Sequence, residues 1–321
     1  MKILKATLYT LLFSVGACTS AGKSADTVST AAETTVAPSQ ADKFNTDSAY
    51  YFVERQTLFG PRVPGTPEHR ECGEWLAAQL EQKGASVTLQ ELVLTAFDGT
   101  KLPTRNILGQ FNPEASDRTL LVAHWDTRPW ADRDANADNH SKPVLGANDG
   151  ASGVGVLLEV ARVLNQEGIS RGVDILFVDS EDYGSEGDDE SWAMGARAFV
   201  ENPPIEGYRP SRVILLDMVG GKGSVFRRET FSDYNAPSLL NEVWQSAAIA
   251  GYEDLFVNVA GGAITDDHVE FLKAQIPAID IIALNDNGFL PTWHTMQDTM
   301  DNIDPAVLTA VGRTVLTYLY R

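Results

Sequence analysis

The chain has very little cysteine. Its 321 residues include only Cys18 and Cys72. A zinc site built from several cysteines is therefore excluded, and any metal must be held by His, Asp and Glu side chains. A disulfide between the two cysteines is not expected, because Cys18 lies at the end of an N-terminal signal and is predicted to have another use.

Positive charge is also scarce. Lys and Arg total 25 against 44 Asp and Glu, which gives a formal net charge of −19. Binding to phosphate groups needs clustered Lys and Arg, so nucleic acid is not expected as a partner. The acidity suits a soluble secreted protein. With 43% hydrophobic and 9% aromatic residues, the chain has enough apolar material for a large core.

The N-terminal apolar run, residues 6–15, is too short to span a membrane as a helix. The run follows Lys2 and Lys5, and its last residue begins the segment Val15-Gly16-Ala17-Cys18. This pattern predicts a secretory signal over residues 1–18. These last four residues resemble the lipobox of bacterial lipoproteins, which implies cleavage before Cys18 and a lipid on its side chain. An ordinary signal peptide is the alternative.

Residues 19–42 are rich in Ser, Thr and Ala and predict a flexible tether, which leaves residues 43–321 as one catalytic domain. We expect a lipid-anchored protein of the bacterial cell envelope that faces the periplasm and contacts the membrane only through its lipid. The outer membrane is favoured because Thr19, and not Asp, follows Cys18.

Strands and helices are predicted to alternate along the domain. Thr66 is placed as the cap of an early helix, and strands are expected over residues 86–94 and 105–110. Short apolar runs predict further buried strands at residues 119–123, 173–178, 212–216 and 277–284. Helices are expected at residues 153–164, 192–200, 239–250 and 269–274 and from Pro305 onward. This order predicts a single α/β domain with a mostly parallel central sheet and helices on both faces.

Histidine and carboxylate side chains follow the buried strands. The segments concerned are His124-Trp125-Asp126, Asp179-Ser180-Glu181-Asp182, Asp217 and Trp293-His294, with Asn148-Asp149-Gly150 before a helix. Ligands bind at the C-terminal ends of parallel strands, so these groups are expected to converge. Imidazole and carboxylate suit zinc, although any one such acid is also a common helix cap. No HExxH motif occurs, so the ligands must be discontinuous.

These segments resemble the zinc-dependent exopeptidase superfamily, which contains two-zinc aminopeptidases and the animal-type glutaminyl cyclases. The resemblance is carried by His124-Trp125-Asp126, residues 146–153, Glu181-Asp182, Asp217 and residues 294–299, and it spans about residues 44–321. The segment Asp266-Asp267-His268 and the position of Trp293 directly before His294 favour the cyclase branch.

The resemblance implies a role for each residue type. One zinc ion would be held by Asp149, Asp182 and His294, with Asp149 as a helix cap in the alternative reading. Glu181 would transfer protons as general acid and base. The remaining implied members of the site are Asp217 and Asp266, which would form a carboxylate pair with Glu181, and Trp293, which would wall the substrate pocket.

Two of these assignments have structural alternatives. Asp266 is placed where it would also cap the next helix, and Trp293 would also fit in the core. By the resemblance or by position, His124 is assigned to a structural hydrogen bond and Asp298 to orienting His294. No direct role is expected for His69, His140 and His268. The candidates for contact with the peptide are Trp125, Trp130 and Trp192, and the sequence does not choose between them.

The expected reaction is cyclisation of an N-terminal glutamine to pyroglutamate with release of ammonia, on peptides or proteins with a free N-terminal Gln. A two-zinc aminopeptidase, with His124 and Asp217 at a second metal, is the first alternative. A non-catalytic binding lipoprotein is the second, and it predicts gaps in the ligand set that the sequence does not show.

Overall fold

A computed structural model describes residues 39–321. Cys18 and the predicted signal peptide lie outside the described residues. Residues Gln40–Lys43 form a turn of 3-10 helix in which Ala41 is buried, so the predicted tether runs a few residues too far. Among the helices of residues 39–321, none is long and apolar enough to cross a membrane.

The centre of the fold is a six-stranded sheet accompanied by a two-stranded ribbon. The strands are β1 (Ser86–Thr95), β2 (Lys101–Phe111), β3 (Arg118–His124), β4 (Gly172–Val178), β5 (Arg212–Asp217), β6 (Phe226–Arg228), β7 (Phe256–Ala260) and β8 (Ala278–Ile282). The order in the large sheet is β1-β2-β4-β3-β5-β8, while β6 and β7 pair with each other. Strands β4, β3, β5 and β8 run parallel, and β1 and β2 add antiparallel pairs at one side.

Helices cover both faces of this sheet. They are α1 (Thr46–Thr57), α2 (Pro67–Gln82), α3 (Ala151–Glu167), α4 (Met194–Glu201), α5 (Thr230–Asn235), α6 (Pro237–Ile249), α7 (Asp267–Lys273) and α8 (Pro305–Leu319). Side chains of β3 alternate between two cores: Leu121 packs with α1, α2, α3, α6 and α8, whereas Leu120 and Val122 pack with α4 and α7. The predicted fold class is therefore confirmed, since the parallel strands are buried on both faces.

Helix α3 approaches the sheet so closely that its first turn has no room for a side chain at Gly153. A Cβ atom there would lie 2.2 Å from the carbonyl oxygen of Leu216 in β5 and 3.0 Å from the Cβ of Ala123 in β3. Contacts this short force the backbone to move. Glycine at this position thus allows the N-terminus of α3, and the turn before it, to lie close to the ends of β3 and β5.

Gly153→Ala is expected to destabilise the fold by about 2–3 kcal/mol, because the added methyl group overpacks a rigid backbone contact. Urea denaturation measures the change in unfolding free energy. Gly262→Ala is the matched control, since its added Cβ would meet only the Ile264 side chain, at 3.7 Å. Equal stability of the two variants would contradict the packing argument.

Candidate active site

Five chain segments converge at the C-terminal edge of the parallel strands. His124 ends β3, Asp217 ends β5, and Glu181 with Asp182 follows β4. Asp149 lies in the turn before α3, and the last segment, after β8, brings His294. All are buried. The structure thus brings together every residue predicted as a metal ligand.

Three residues of this edge have a left-handed backbone without being glycine. They are Ser180 (φ 56°), Met218 (φ 49°) and His294 (φ 54°). Such conformations cost about 1–3 kcal/mol each, and they persist where the surrounding structure enforces them. Here the chain turns at Ser180 next to Glu181, at Met218 next to Asp217 and at His294 itself.

The first group of ligand atoms comes from Asp149, Asp182 and His294, whose candidate donor atoms all lie within 4.8 Å of one another. His294 Nε2 lies 3.1 Å from Asp182 Oδ1 and 3.6 Å from Asp149 Oδ2. Asp182 Oδ1 is buried without a hydrogen-bond partner in the described part of the chain. One imidazole and two carboxylates around a common centre, with an orphaned oxygen, fit a zinc ion with one open position.

A second group shares Asp149 with the first. It consists of His124, Asp149 and Asp217. His124 Nε2 lies 3.0 Å from Asp149 Oδ1 and 3.1 Å from Asp217 Oδ1. Burial lowers the pKa of His124, but the three carboxylates of Asp126, Asp149 and Asp217 outweigh burial and raise it well above its ordinary value. The group can therefore be an ion pair with a protonated His124 or hold a second metal.

The turn that carries Asp149 is held by Asp298. Its carboxylate accepts hydrogen bonds from the backbone N–H groups of Asn148 (2.7 Å) and Asp149 (3.1 Å). The prediction that Asp298 orients His294 was therefore wrong, because both of its oxygens face the Asp149 turn. The side chain of Asp149 also does not cap α3. The N-cap position is Gly150, and no side-chain hydrogen bond caps the start of the helix.

Gly150 allows the Asp149 turn to lie against β3. A Cβ at this position would be 2.4 Å from the carbonyl oxygen of His124 and 2.5 Å from its ring. Any larger residue would push Asp149 away from His124. On the other side of the site, Asp132 Oδ1 lies 3.6 Å from His294 Nδ1, so Asp132 takes the place at His294 that was predicted for Asp298.

Glu181 lies beside the candidate ligands and is itself buried. Its backbone N–H and that of Asp182 donate to the two carboxylate oxygens of Asp126, each at 3.1 Å. Burial raises the pKa of Glu181 well above its ordinary value, and the carboxylates of Asp266 and Asp182 act in the same direction against His124. A carboxyl group with a raised pKa is suited to taking up and releasing a proton.

The structure places Asp266 both at the start of α7 and in the wall of the cavity, which are the two positions between which the sequence left a choice. One oxygen caps α7 by accepting from the Asp267 backbone N–H at 2.5 Å. The other oxygen has no partner among residues 39–321, and the residue lines the cavity beside Glu181. Burial, followed by the charge of Asp217, raises the pKa of Asp266 to about 7.

The ligand groups open into a cavity of about 390 Å³ with aromatic walls. Trp293 stacks on His294 with ring centres 3.9 Å apart, and Trp192 is nearly parallel to the same imidazole at 6.2 Å. Trp293 is half-buried and lines the cavity, so it is not a core tryptophan. Phe289 completes the apolar lining. The cavity is thus suited to an uncharged side chain that ends at the polar floor.

The three tryptophans considered for contact with the peptide lie in different places. Trp192 is the one that lines this cavity. Trp125 is buried, stacks on His69 at 4.2 Å and lies outside the lining of this cavity. Trp130 packs against Tyr183 at 5.0 Å and lies outside the cavity lining.

Sequence comparison decides the family. The model of peptidase family M28 matches residues 106–319, which is most of the described domain. The chain belongs to peptidase family M28. Three solved structures resemble this M28 chain closely. One is a glutaminyl cyclase from Bacteroides thetaiotaomicron bound to N-acetylhistamine, with 50% identity, a TM-score of 0.86, and coverage of 88% of this chain and 99% of that chain.

The second is a Porphyromonas gingivalis glutaminyl cyclase with 53% identity, a TM-score of 0.84, and coverage of 86% of this chain and 98% of the other. The third is a Bacteroides thetaiotaomicron protein described as a leucine aminopeptidase precursor, with 50% identity, a TM-score of 0.85, and coverage of 88% and 98%. The M28 fold is therefore firmly shown, and both expected activities are represented among its relatives.

In this M28 chain, two of the histidines that the sequence set aside are structural. His69 Nε2 bonds both oxygens of Asp179 at 2.9 Å, behind the Glu181 loop. His268 follows Asp266 closely, and its Nε2 lies 3.1 Å from Glu229 Oε2. The sequence offered no signal for either partner, because Asp179 and Glu229 are remote from these histidines along the chain.

Glu229 fastens the loop before α7 to the body of the fold. Its buried carboxylate accepts hydrogen bonds from the N–H groups of Phe231 (2.8 Å), Ser232 (2.7 Å) and Ile264 (3.1 Å), besides the contact with His268. Burial raises the pKa of Glu229, but the bonds from His268, Ser232 and Phe231 outweigh burial and lower it from 4.5 to about 2. The ionised form is therefore the one that stabilises the fold.

Glu229→Gln is expected to lower the unfolding free energy by about 3 kcal/mol at neutral pH. Because the folded-state pKa is depressed, this contribution is present above about pH 4.5 and is lost as the pH falls toward 2. Urea denaturation at several pH values should show the gap between the two proteins closing on acidification. Glu114→Gln, at an exposed acid, is the control. A gap that does not change with pH would contradict the assignment.

Proposed function

We propose that this protein is a glutaminyl-peptide cyclotransferase that converts N-terminal glutamine to pyroglutamate and releases ammonia. The observation that carries the proposal is the position of Glu181, a buried carboxyl group with a raised pKa next to the ligand Asp182, on the floor of a small aromatic cavity. The similar glutaminyl cyclases at 50% and 53% identity support it.

In the reaction, the α-amine nitrogen bonds to the side-chain amide carbon, and the bond from that carbon to the amide nitrogen breaks. Glu181 takes a proton from the amine and gives one to the leaving nitrogen, which departs as ammonia. Asp149, Asp182 and His294 would hold zinc, which when bound polarises the amide oxygen. The raised pKa of Glu181 suits a group that must both accept and donate a proton.

The other residues bind and orient the substrate. Asp217 and Asp266 lie beside Glu181 and offer carboxylates to the incoming α-amine. Because several carboxyl groups are buried together, they share protons and are not all ionised at once. Trp293 and Trp192 enclose the glutamine side chain and exclude water, which favours attack by the amine over hydrolysis.

We further propose one zinc ion per chain, in the group that contains His294. In the second group, His124 is placed to bond Asp149 and Asp217 as an ion pair, which needs no metal. The alternative is a two-zinc aminopeptidase. The observation that favours it is the shared position of Asp149, because one bridging carboxylate between two metals is the arrangement of two-metal hydrolases.

Mass spectrometry distinguishes the two activities. The full chain is loaded with zinc and incubated with a peptide that has an N-terminal Gln. Loss of ammonia at unchanged chain length, faster than the spontaneous reaction, supports the cyclase. Loss of the complete first residue would instead assign the aminopeptidase and place a second zinc at His124 and Asp217.

We also propose that the chain is a lipoprotein of the bacterial cell envelope, anchored through Cys18 and facing the periplasm from the outer membrane. The motif Val15-Gly16-Ala17-Cys18 supports this proposal. Its substrates would then be peptides or proteins of the envelope with a free N-terminal Gln. Labelling with a fatty acid that is lost in Cys18→Ser tests the anchor, and equal labelling of both proteins would refute it.

A further inference from the structure

The mouth of the catalytic cavity is bordered by a short acidic segment, residues 184–190, which we name the acidic rim. It contains four carboxylates and no Lys or Arg in seven residues. Glu186 and Asp189 line the cavity itself. The rim follows the Glu181 loop directly, so its charges lie along the way out of the site.

The acidic rim is fastened to the cavity wall. Ser191 Oγ accepts a hydrogen bond from the backbone N–H of Ser185 (2.7 Å) and donates one to the carbonyl oxygen of Asp188 (2.6 Å). Trp192 Nε1 donates to the Ser185 carbonyl oxygen at 3.3 Å. A Cβ at Gly184 would lie 2.0 Å from the Trp192 ring, so only glycine permits this close contact.

The charges of the rim are only partly neutralised. Glu186 is paired with Arg133, which also lies over the Trp293 ring at 5.3 Å. Glu190 is paired on the outer side, with Lys273 at 3.2 Å. Asp189 has neither an ion-pair nor a hydrogen-bond partner within residues 39–321. Apart from Arg133, none of the described residues that line the cavity is a Lys or Arg, so the mouth carries net negative charge.

A bound peptide would extend from this cavity through the mouth. Its N-terminal glutamine occupies the floor, and each following residue extends the chain by about 3.3–3.6 Å toward the mouth. We infer that Asp189, together with the net negative charge of the mouth, selects peptides with Lys or Arg at the second or third position and disfavours Asp or Glu there. The inference rests on the proposed cyclase function and names its substrate class.

The expected preference is moderate and sensitive to salt. Ion pairs at an exposed rim are weak, so we expect kcat/KM to be about five-fold higher with Lys than with Glu at the second or third position. Since such charges are screened by salt, the ratio should approach one at about 1 M ionic strength. A preference produced by side-chain shape would not depend on salt.

The test uses the full chain and a set of short amidated peptides that begin with Gln. Lys, Ala or Glu occupies the second position in one series and the third position in another. Rates of ammonia release give kcat/KM for the wild type, Asp189→Asn and Asp189→Lys. Glu114→Gln is the matched control, because this exposed acid precedes β3 at the opposite edge of the sheet.

A Lys-to-Glu ratio above one that shrinks in Asp189→Asn, inverts in Asp189→Lys and is unchanged in Glu114→Gln supports the inference. If the peptides with Ala are cyclised but the ratio is one, the inference is overturned and the proposed function stands. If the peptides with Ala lose their whole N-terminal residue or do not react, the proposed function itself fails.

Discussion

Glu181→Gln is expected to lower kcat/KM for cyclisation of a Gln peptide about 1000-fold while zinc stays bound, because a proton shuttle contributes about 10²- to 10⁴-fold. The variant keeps the size and burial of the side chain but cannot accept a proton from the amine. Zinc should stay because the proposed ligand beside His294 is the neighbouring residue, Asp182. Steady-state kinetics and metal analysis on the same sample measure both quantities.

Two comparisons make this result specific. Glu114→Gln makes the same chemical change far from the site and should leave the rate unaltered. Asp182→Asn should lose zinc together with activity. If Glu181→Gln also lost zinc, the division of labour between the two adjacent carboxyl groups would be refuted. Activity within ten-fold of the wild type would exclude Glu181 as the shuttle.

His294→Ala is expected to weaken zinc binding by more than about 100-fold, because even the loss of a residue behind a ligand costs about 10- to 100-fold. His124→Gln should keep one zinc per chain. Asp149→Ala would not separate the one-zinc and two-zinc alternatives, since this carboxylate belongs to both groups. Metal analysis after dialysis against limiting chelator measures the occupancy, and cyclisation rates follow in parallel.

The wild-type protein provides the reference for both histidine variants. One bound zinc that disappears in His294→Ala and remains in His124→Gln supports the single-metal cyclase. Two bound zinc ions, one of which is lost in His124→Gln, would favour the aminopeptidase. Thermal unfolding of the three apo proteins controls for damage to the fold, since His124 is buried against Asp149 and Asp217.

The parallel strands were predictable because their sequences are short apolar runs bounded by polar residues. The run at residues 119–123 became β3 and the run at 173–178 became β4, each within a residue of the expected bounds. The cap at Thr66 was also correct, since its side chain accepts a backbone hydrogen bond at the start of its helix. These features depend on local sequence, which is why reading the chain alone was enough.

Helix α1 and strand β7 were not predicted. Helix α1 has many polar residues and lies just after the expected tether, and its apolar side chains become meaningful only against α3 and α8. Strand β7 is short and mostly exposed, and it pairs only with β6. For both elements the deciding contacts are with distant parts of the chain.

The same limit applies within the site. The clustering of the candidate ligand residues was predictable because parallel strands end at one edge, a rule of topology that needs no distances. The hydrogen-bond partners of the segments that carry these residues were not predicted. The Asp126 carboxylate accepts hydrogen bonds from the backbone N–H groups of Glu181 and Asp182. The Asp298 carboxylate accepts those of the Asp149 turn, and neither pairing has a local sequence signal. Such partners are set by tertiary packing.

The bond between Asp298 and the Asp149 turn joins residues 149 positions apart. Closing so long a loop costs entropy that the contacts of an assembled sheet offset, so we expect the group of Asp149, Asp182 and His294 to form late in folding. Partly folded chains have the carboxylates but not their common centre. If these residues hold zinc as proposed, uptake of zinc during refolding should report the completion of folding independently of turnover.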